Sequence, residues 1–325
     1  MNKINDKFLI TILCPVYNEA ENVENFVKQF SCVMNTINIH YSFEFLFADN
    51  CSVDDTVGRL IQLQHLYSNI RIIKYSRNFG VMKSIFTGII NSNSSACAIF
   101  DCDLQDPPEL IIEFIKHWEN GSKVVYGIRR KRDETNLIAI LRNAYRKIET
   151  LSKGYKVSLE SGAWFLDERV VQELRKAPFE PYLGGLIARL GFKSTGVPYD
   201  RLKRLHGESK FGLMNYFSYA RDGLVSGTIA PLRIAVFFGI IFSLLSFVFM
   251  LYFIYAKLFL NTNFATGVAA AIVIVLFGFG LNFLLLGIIG EYVGRLYLNK
   301  ESSQEAIIED SYPCISSLNV NDIKK

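Results

Sequence analysis

Between Ile234 and Ala256 the chain carries no charged residue, and between Leu258 and Gly290 it again carries none. An α-helix of about 20 apolar residues, rising about 1.5 Å per residue, crosses the roughly 30 Å hydrocarbon core of a bilayer. The alternative is a pair of buried core helices, and the length of the two stretches decides against it. The sequence therefore predicts a membrane segment over 231–291, with spanning helices at about 233–256 and 266–290. The turn around Lys257 to Phe264 is short, so the two helices form a hairpin and the flanking segments share one side. Arg221, Arg233, Arg295 and Lys300 lie outside the hairpin against Lys257 alone in its turn. That bias sets both termini in the cytoplasm.

The rest of the composition narrows the class. With 325 residues, 50% of them hydrophobic, the chain has room for one sizeable domain besides the membrane segment. Met1 to Lys7 is polar and the apolar run Phe8 to Val16 is short, with no small-residue cleavage site, so the first domain is not expected to be exported. Cys14, Cys32, Cys51, Cys97, Cys102 and Cys314 are scattered without a CxxC pair, as buried or neutral thiols in a reducing compartment are. A net charge of +4 suits an anionic membrane surface. No basic and aromatic stripe accompanies it, so no nucleic-acid partner is expected.

Over the first 200 residues, short apolar runs alternate with longer amphipathic stretches. Phe8–Cys14, Phe43–Ala48, Ile70–Tyr75, Ala96–Phe100 and Lys123–Gly127 read as strands; Glu21–Met34, Asp54–Leu66, Val81–Ile90 and Pro108–Glu119 read as helices. Such alternation predicts a doubly wound α/β sheet, whose ligands bind beyond the carboxyl ends of the strands. The polar clusters fall at those ends: Pro15 to Glu19, Asp49 to Ser52, Ser76 to Gly80, and Asp101 to Gln105. In the last, Asp101 and Asp103 stand one residue apart at a strand end, on one face of the extended chain. A pair of carboxylates there suits Mg²⁺ or Mn²⁺, which takes one or two protein carboxylates and completes its shell with the oxygens of a substrate diphosphate.

The motifs PVYNEAENV, FADNCSVDDT, SRNFG, DCDLQDPPE, HGESKFG and GEYVGRLY occur in that order over about residues 8 to 300. The chain so resembles the inverting glycosyltransferases of family 2, and among them the membrane-anchored polyprenyl-phosphate glycosyltransferases, which include dolichol-phosphate mannose synthase and the bactoprenol glucosyltransferases. The resemblance implies a GT-A (Rossmann-like) domain over 1–210. It also implies that Pro15, Tyr17, Glu19, Asp49 and Arg77 hold the nucleotide donor and that Asp101, Asp103 and Gln105 surround the metal and the donor diphosphate. The chain departs from the family at Asn50, where a second acidic residue is usual, and at Ser161 to Leu166. There it reads SGAW, nearer the SGFF of mannose synthases than the GDFR of bacterial glucosyltransferases.

No carboxylate proposed as a base carries over to that segment, and none is required. The second pKa of a phosphate monoester is about 6, so a polyprenyl phosphate attacks already deprotonated. Two anions must still be brought together, and fixed positive charge does this. Arg129, Arg142, Arg201, Arg204, Ser209 and Lys210 are the candidates for the acceptor phosphate, with Arg129 and Lys210 standing in the family's G-x-R and G-x-S-K contexts and, with Asp103, expected to serve catalysis. The basic run continues through Arg130, Lys131 and Arg132. Residues 211–228, from Phe211 through Tyr216 and Tyr219 to Val225, read as an amphipathic helix lying on the membrane. Over 292–325 a juxtamembrane segment anchored by Tyr292, Arg295 and Tyr297 leads to a cytoplasmic tail, expected to be irregular and mobile beyond about Ser302.

The expected reaction is transfer of one sugar from a nucleotide sugar, UDP-glucose first, to polyprenyl (undecaprenyl) phosphate at the cytoplasmic face of a bacterial inner membrane, for cell envelope polysaccharide. GDP-mannose and UDP-N-acetylhexosamine are alternative donors; the partners are the donor, the lipid and the bilayer, with homo-oligomerisation open. Two other readings differ in class. One is a membrane-anchored binding protein that has lost catalysis, with Asn50 and SGAW as signs of decay. The other is a processive polysaccharide synthase, opposed by the small membrane part and the lack of a QxxRW motif.

Overall fold

The computed structural model describes residues 3–4, 7–37, 40–130, 162–178, 182–202 and 305–314, with scattered helical positions between Phe237 and Leu296. Contacts divide the chain into two units, Met1–Ala220 with Ser303–Lys325, and Arg221–Ser302.

The first unit is built on one sheet. Its strands are β1 (Lys3–Ile4), β2 (Lys7–Val16), β3 (Tyr41–Asp49), β4 (Ile70–Tyr75), β5 (Ala96–Ile99), β6 (Val124–Arg129), β7 (Trp164–Asp167), β8 (Ser194–Tyr199) and β9 (Ile308–Tyr312). They run in the order β8-β6-β7-β5-β2-β3-β4-β9, with β1 paired to β2. The strands β4, β3, β2 and β5 are mutually parallel, as are β6 and β8. Their near-continuous apolar sequences follow from burial on both faces. The expectation of a doubly wound sheet needs one correction: β7 runs antiparallel between β5 and β6, and β1 and β9 are antiparallel as well, so the sheet is mixed.

Helices cover both faces. On one lie α1 (Val23–Ile37), α2 (Thr56–Leu66) and α4 (Leu110–Glu119); on the other lie α3 (Val81–Ile90), α5 (Glu168–Lys176) and α6 (Leu183–Arg189). In α1 the buried residues are Val23, Phe26, Val27, Phe30 and Met34, the three- and four-residue spacing that keeps one stripe on the core. Phe26, Phe30, Phe100 and Phe114 continue that contact across the sheet as a chain of tilted and edge-on rings.

The tail beyond Ser302 is not irregular throughout, as the sequence suggests. Ile308–Tyr312 returns to the sheet of the first unit and pairs antiparallel with β4, closing its edge. Ala306 N–H donates to Thr87 Oγ1 at 2.8 Å, Gln64 Nε2 donates to the carbonyls of Tyr312 and Pro313, and Lys74 Nζ meets Glu309 at 2.8 Å. The strand is polar because it is an edge strand, which is why its periodicity does not announce it. Truncation of the chain after residue 304 removes this ladder. At about 1 kcal/mol net per hydrogen bond, and about 2–4 °C per kcal/mol for a domain of this size, the melting temperature of the first unit should fall by roughly 10 °C. Thermal unfolding of the truncated and full chains checks this, and equal midpoints would contradict it.

In the second unit, the described residues between Phe237 and Leu296 are helical, and Phe237, Leu244, Phe247, Tyr252, Phe259 and Leu296 are more than half exposed. Among the described residues no helix is long and apolar enough to cross a membrane. The spans expected at 233–256 and 266–290 fall largely outside the described residues, and the helix expected at 211–228 does so entirely.

Candidate functional site

The loops after β2, β3 and β5 each contain a non-glycine residue in the left-handed region: Asn18 (φ 55°), Cys51 (φ 63°) and Leu104 (φ 54°). For an L residue that conformation costs on the order of 1–2 kcal/mol, and it persists only where surrounding bonds impose it. Those bonds are present. Asn18 N–H donates to Ser52 Oγ at 2.9 Å, and Val53 N–H donates back to Asn18 Oδ1 at 2.9 Å. Glu19 N–H donates to Thr56 Oγ1, and Ala20 N–H to Asp54 Oδ2, which fixes the loop carrying Pro15, Tyr17 and Glu19 against the start of α2.

Asp49, at the end of β3, is fully buried and accepts from both the N–H and the hydroxyl of Ser52. Burial raises its carboxyl above the usual range, opposed by the Ser52 hydrogen bonds. Its role in the described structure is to hold the 50–53 loop. Asn50 acts similarly, and the departure from a second acidic residue has a structural reason. Its Nδ2 donates to Asn78 Oδ1 at 2.9 Å while its Oδ1 accepts from Phe79 N–H at 2.9 Å. A carboxylate accepts but does not donate, so aspartate here would lose half of this bridge. The bridge orients the loop carrying Arg77, whose guanidinium lies 4.1 Å from the centre of the Phe79 ring.

The DxD loop forms the other half of the site. Asp101 is pushed up to about 7 by burial, then by the neighbouring carboxylates of Asp106 and Asp103, while Arg129 and Arg201 act in the opposite direction. Asp103 Oδ1 accepts from Gln105 N–H at 3.2 Å, and the Gln105 carbonyl accepts from Leu202 N–H at 2.9 Å. The fold thus gathers Asp101, Asp103, Gln105, Arg129 and Arg201 from the ends of β5, β6 and β8. Arg142, Arg204, Ser209 and Lys210 lie outside the described residues.

Three residues that sequence reasoning passed over complete this half. Asp106 is buried, accepts from the Tyr199 hydroxyl at 2.5 Å, and has Arg129 Nη2 at 3.6 Å and Arg201 Nε at 4.0 Å. Gly162 approaches so closely that a Cβ there would lie within 2.6 Å of atoms from all of Arg129, Asp106 and Tyr199. Asp106 stands inside the DCDLQDPPE motif, the one sequence signal that pointed to it.

Asp167, close in sequence to the place where a base is sought, has another task. Its carboxylate accepts from Trp118 Nε1 at 2.7 Å and Lys123 Nζ at 2.9 Å, and caps α5 through Arg169 N–H at 3.1 Å. In the antiparallel register it faces Ala96, the first residue of β5, whereas Asp101 lies beyond the last. Five residues of extended chain separate the two by about 16 Å. Asp167→Asn should therefore lower stability by about 1–3 kcal/mol, the cost of weakening buried hydrogen bonds. Turnover should change less than about tenfold, short of the 10²–10⁴ carried by a general base. Thermal unfolding and initial rates measured on the same preparation separate the two effects. Glu160, the other flanking acid, lies outside the described residues.

Comparison with known proteins identifies the family. The family model described as Glycosyl transferase family 2 matches residues 11–175. An uncharacterized glycosyltransferase of Bacillus subtilis (strain 168) is 33% identical over 306 residues, covering 93% of this chain and 94% of the relative. The SfII prophage-derived bactoprenol glucosyl transferase of Shigella flexneri is 27% identical over 309 residues, covering 93% of this chain and 98% of the relative. Among solved structures, a mannosyltransferase from Pyrobaculum calidifontis superposes with a TM-score of 0.48 at 15% identity, covering 71% of this chain and 65% of that one. The matched region runs from the middle of β2 through most of α5, including every loop built above from Asn18 to Arg129, and on it the chain belongs to glycosyl transferase family 2.

Proposed function

We propose that this protein transfers a single sugar from a nucleotide sugar to the phosphate of a polyprenyl carrier, with inversion at the anomeric carbon. The observation that carries the reading is the meeting of two opposite charge systems at one sheet edge. The crowded carboxylates Asp101 and Asp103 lie beside Arg129 and Arg201, so a cation-bound diphosphate and a second phosphate have adjoining seats. Relatives named bactoprenol glucosyl transferase support a lipid-linked acceptor and a glucosyl donor, with UDP-glucose first and GDP-mannose or UDP-N-acetylhexosamine as alternatives.

The residues fit a divalent cation. Burial, and then like charge, raise Asp101, a strain that an incoming Mg²⁺ or Mn²⁺ relieves, and the donor set is hard oxygen. Among the described residues no three acidic, histidine or cysteine groups converge as a cage, which suits an ion completed by the donor's diphosphate. When bound, the ion supplies Lewis-acid stabilisation of the leaving nucleoside diphosphate. The chain's residues do the rest by positioning: the loops carrying Tyr17, Glu19 and Arg77 hold the nucleotide, and Arg129 and Arg201 hold the acceptor phosphate against the repulsion of the donor. A phosphate deprotonated near pH 7 needs no base, consistent with Asp167 being committed to Trp118 and Lys123.

The acceptor's phosphate lies in the headgroup layer, so the catalytic edge must be held there. The hairpin of 231–291 rests on the uncharged stretches of the sequence, where the described residues between Phe237 and Leu296 are helical and carry exposed apolar side chains. Because residues on both sides of Arg221–Ser302 belong to the catalytic unit, any crossings in between are even in number. With the basic flanks, this favours a bacterial inner-membrane protein with both termini cytoplasmic and 211–228 on the surface. The acceptor class is tested by nucleoside diphosphate release from UDP-glucose, GDP-mannose and UDP-N-acetylglucosamine with Mn²⁺. Polyprenyl phosphate should stimulate release from one of them, and polyprenol, lacking the phosphate, should not. Equal stimulation by both lipids would overturn the reading.

A further inference from the structure

Arg129 enters the site from the end of β6 inside a cradle of buried groups. Its Nε donates to Tyr199 Oη at 3.1 Å, its Nη2 lies 3.6 Å from Asp106 Oδ2, and the Tyr199 hydroxyl donates to Asp106 Oδ1. The Asp106 side chain is 1% exposed and that of Arg129 20%. Asp106 Oδ2 has no hydrogen-bond partner among the described residues. The wall of the cradle is backbone: a Cβ on Gly162 would stand 2.4 Å from Arg129 Nη2, 2.4 Å from Asp106 Oδ2 and 2.6 Å from Tyr199 Oη. Three polar atoms from chain positions 106, 129 and 199 thus converge on one point, and only glycine leaves it empty.

An arginine that receives a phosphate through its planar fork loses most of its value if the fork can rotate away. Here the face turned to Asp106 and Tyr199 is fixed from three sides. Arg201 shares the same counter-ion, with Nε 4.0 Å from Asp106 Oδ1, so one buried carboxylate serves two arginines. We propose that Asp106, Tyr199 and Gly162 are positioning residues, which lock the Arg129 guanidinium in the orientation that receives a phosphate and so set the affinity for the lipid acceptor. This rests on the reading of Arg129 as the acceptor's phosphate receptor.

Tyr199→Phe and Gly162→Ala test the proposal without altering charge; Asp106→Asn would change charge and geometry together. The readout is the dissociation constant of farnesyl phosphate, titrated into the full-length protein in detergent with Mg²⁺ and UDP, alongside that of UDP alone and the melting temperature. Each variant should weaken farnesyl phosphate about tenfold or more and leave UDP within about twofold. In an Arg129→Ala background neither should add more than about twofold, because residues that act through Arg129 have nothing left to act on. Losses that multiply in that background overturn the positioning role. If Arg129→Ala weakens UDP instead of farnesyl phosphate, and the other substitutions still add nothing to it, the positioning role stands and the acceptor reading of Arg129 falls. Should Gly162→Ala not fold, Tyr199→Phe alone completes the cycle.

Discussion

Asp103→Ala should lower sugar transfer by about two to three orders of magnitude while leaving the catalytic unit folded. A divalent ion contributes several kcal/mol to stabilising the leaving diphosphate, and each 1.36 kcal/mol is a factor of ten in rate. The stability cost is small because Asp103 is only half-buried and its bond to Gln105 N–H, at 3.2 Å, closes a local turn. Raising the Mn²⁺ concentration should recover part of the loss, since Asp101 remains. Initial rates over a metal titration check the expectation. A purified variant that keeps more than a tenth of the parent rate would remove Asp103 from the metal site.

Arg129→Ala is the second large effect, with an expected loss of about 10²–10³ in turnover, the usual cost of deleting a fixed group that stabilises charge in a closed site. The structure adds a second consequence. Arg129 is the nearer of the two arginines flanking the buried Asp106, at 3.6 Å against 4.0 Å for Arg201. Removing it leaves a buried carboxylate short of a partner, so stability falls too. Arg129→Lys separates the two: charge beside Asp106 is kept and the melting temperature should stay near that of the parent, while loss of the planar fork should still weaken the acceptor at least about tenfold. A lysine variant with parental acceptor affinity would show that charge alone suffices at this position.

What the sequence disclosed depended on the range of the interactions involved. The strand Ile70–Tyr75 and the helix Val81–Ile90 have the bounds read from their patterns, because each is buried along a regular face and flanked by polar loops. The DxD was legible because both carboxylates sit on one short strand end. Asp106 was not, since its meaning comes from Tyr199, 93 positions away, and from Arg129. Gly162 was hidden inside SGAW for the same reason, its role being the absence of a side chain under three distant groups. Asp167 drew attention by sequence proximity alone, and the antiparallel β7 carries it to the far end of β5. β9 escaped notice because an edge strand with Glu309 and Asp310 facing Lys74 carries no apolar period. Lys210, equal to Arg129 by motif, lies outside the described residues, so the comparison between them rests on experiment.

The account stands most directly on the mass of the lipid product. The full-length protein in detergent with Mn²⁺, undecaprenyl phosphate and each nucleotide sugar in turn should convert the lipid to a species heavier by one sugar residue, with one donor strongly preferred. The new bond should carry the anomeric configuration opposite to the donor's. Asp103→Ala and Arg129→Ala should yield almost none of this product. An unmodified lipid with every donor, or a lipid carrying a ladder of several sugars, would contradict single-sugar transfer to a polyprenyl phosphate at the edge formed by Asp101, Asp103 and Arg129.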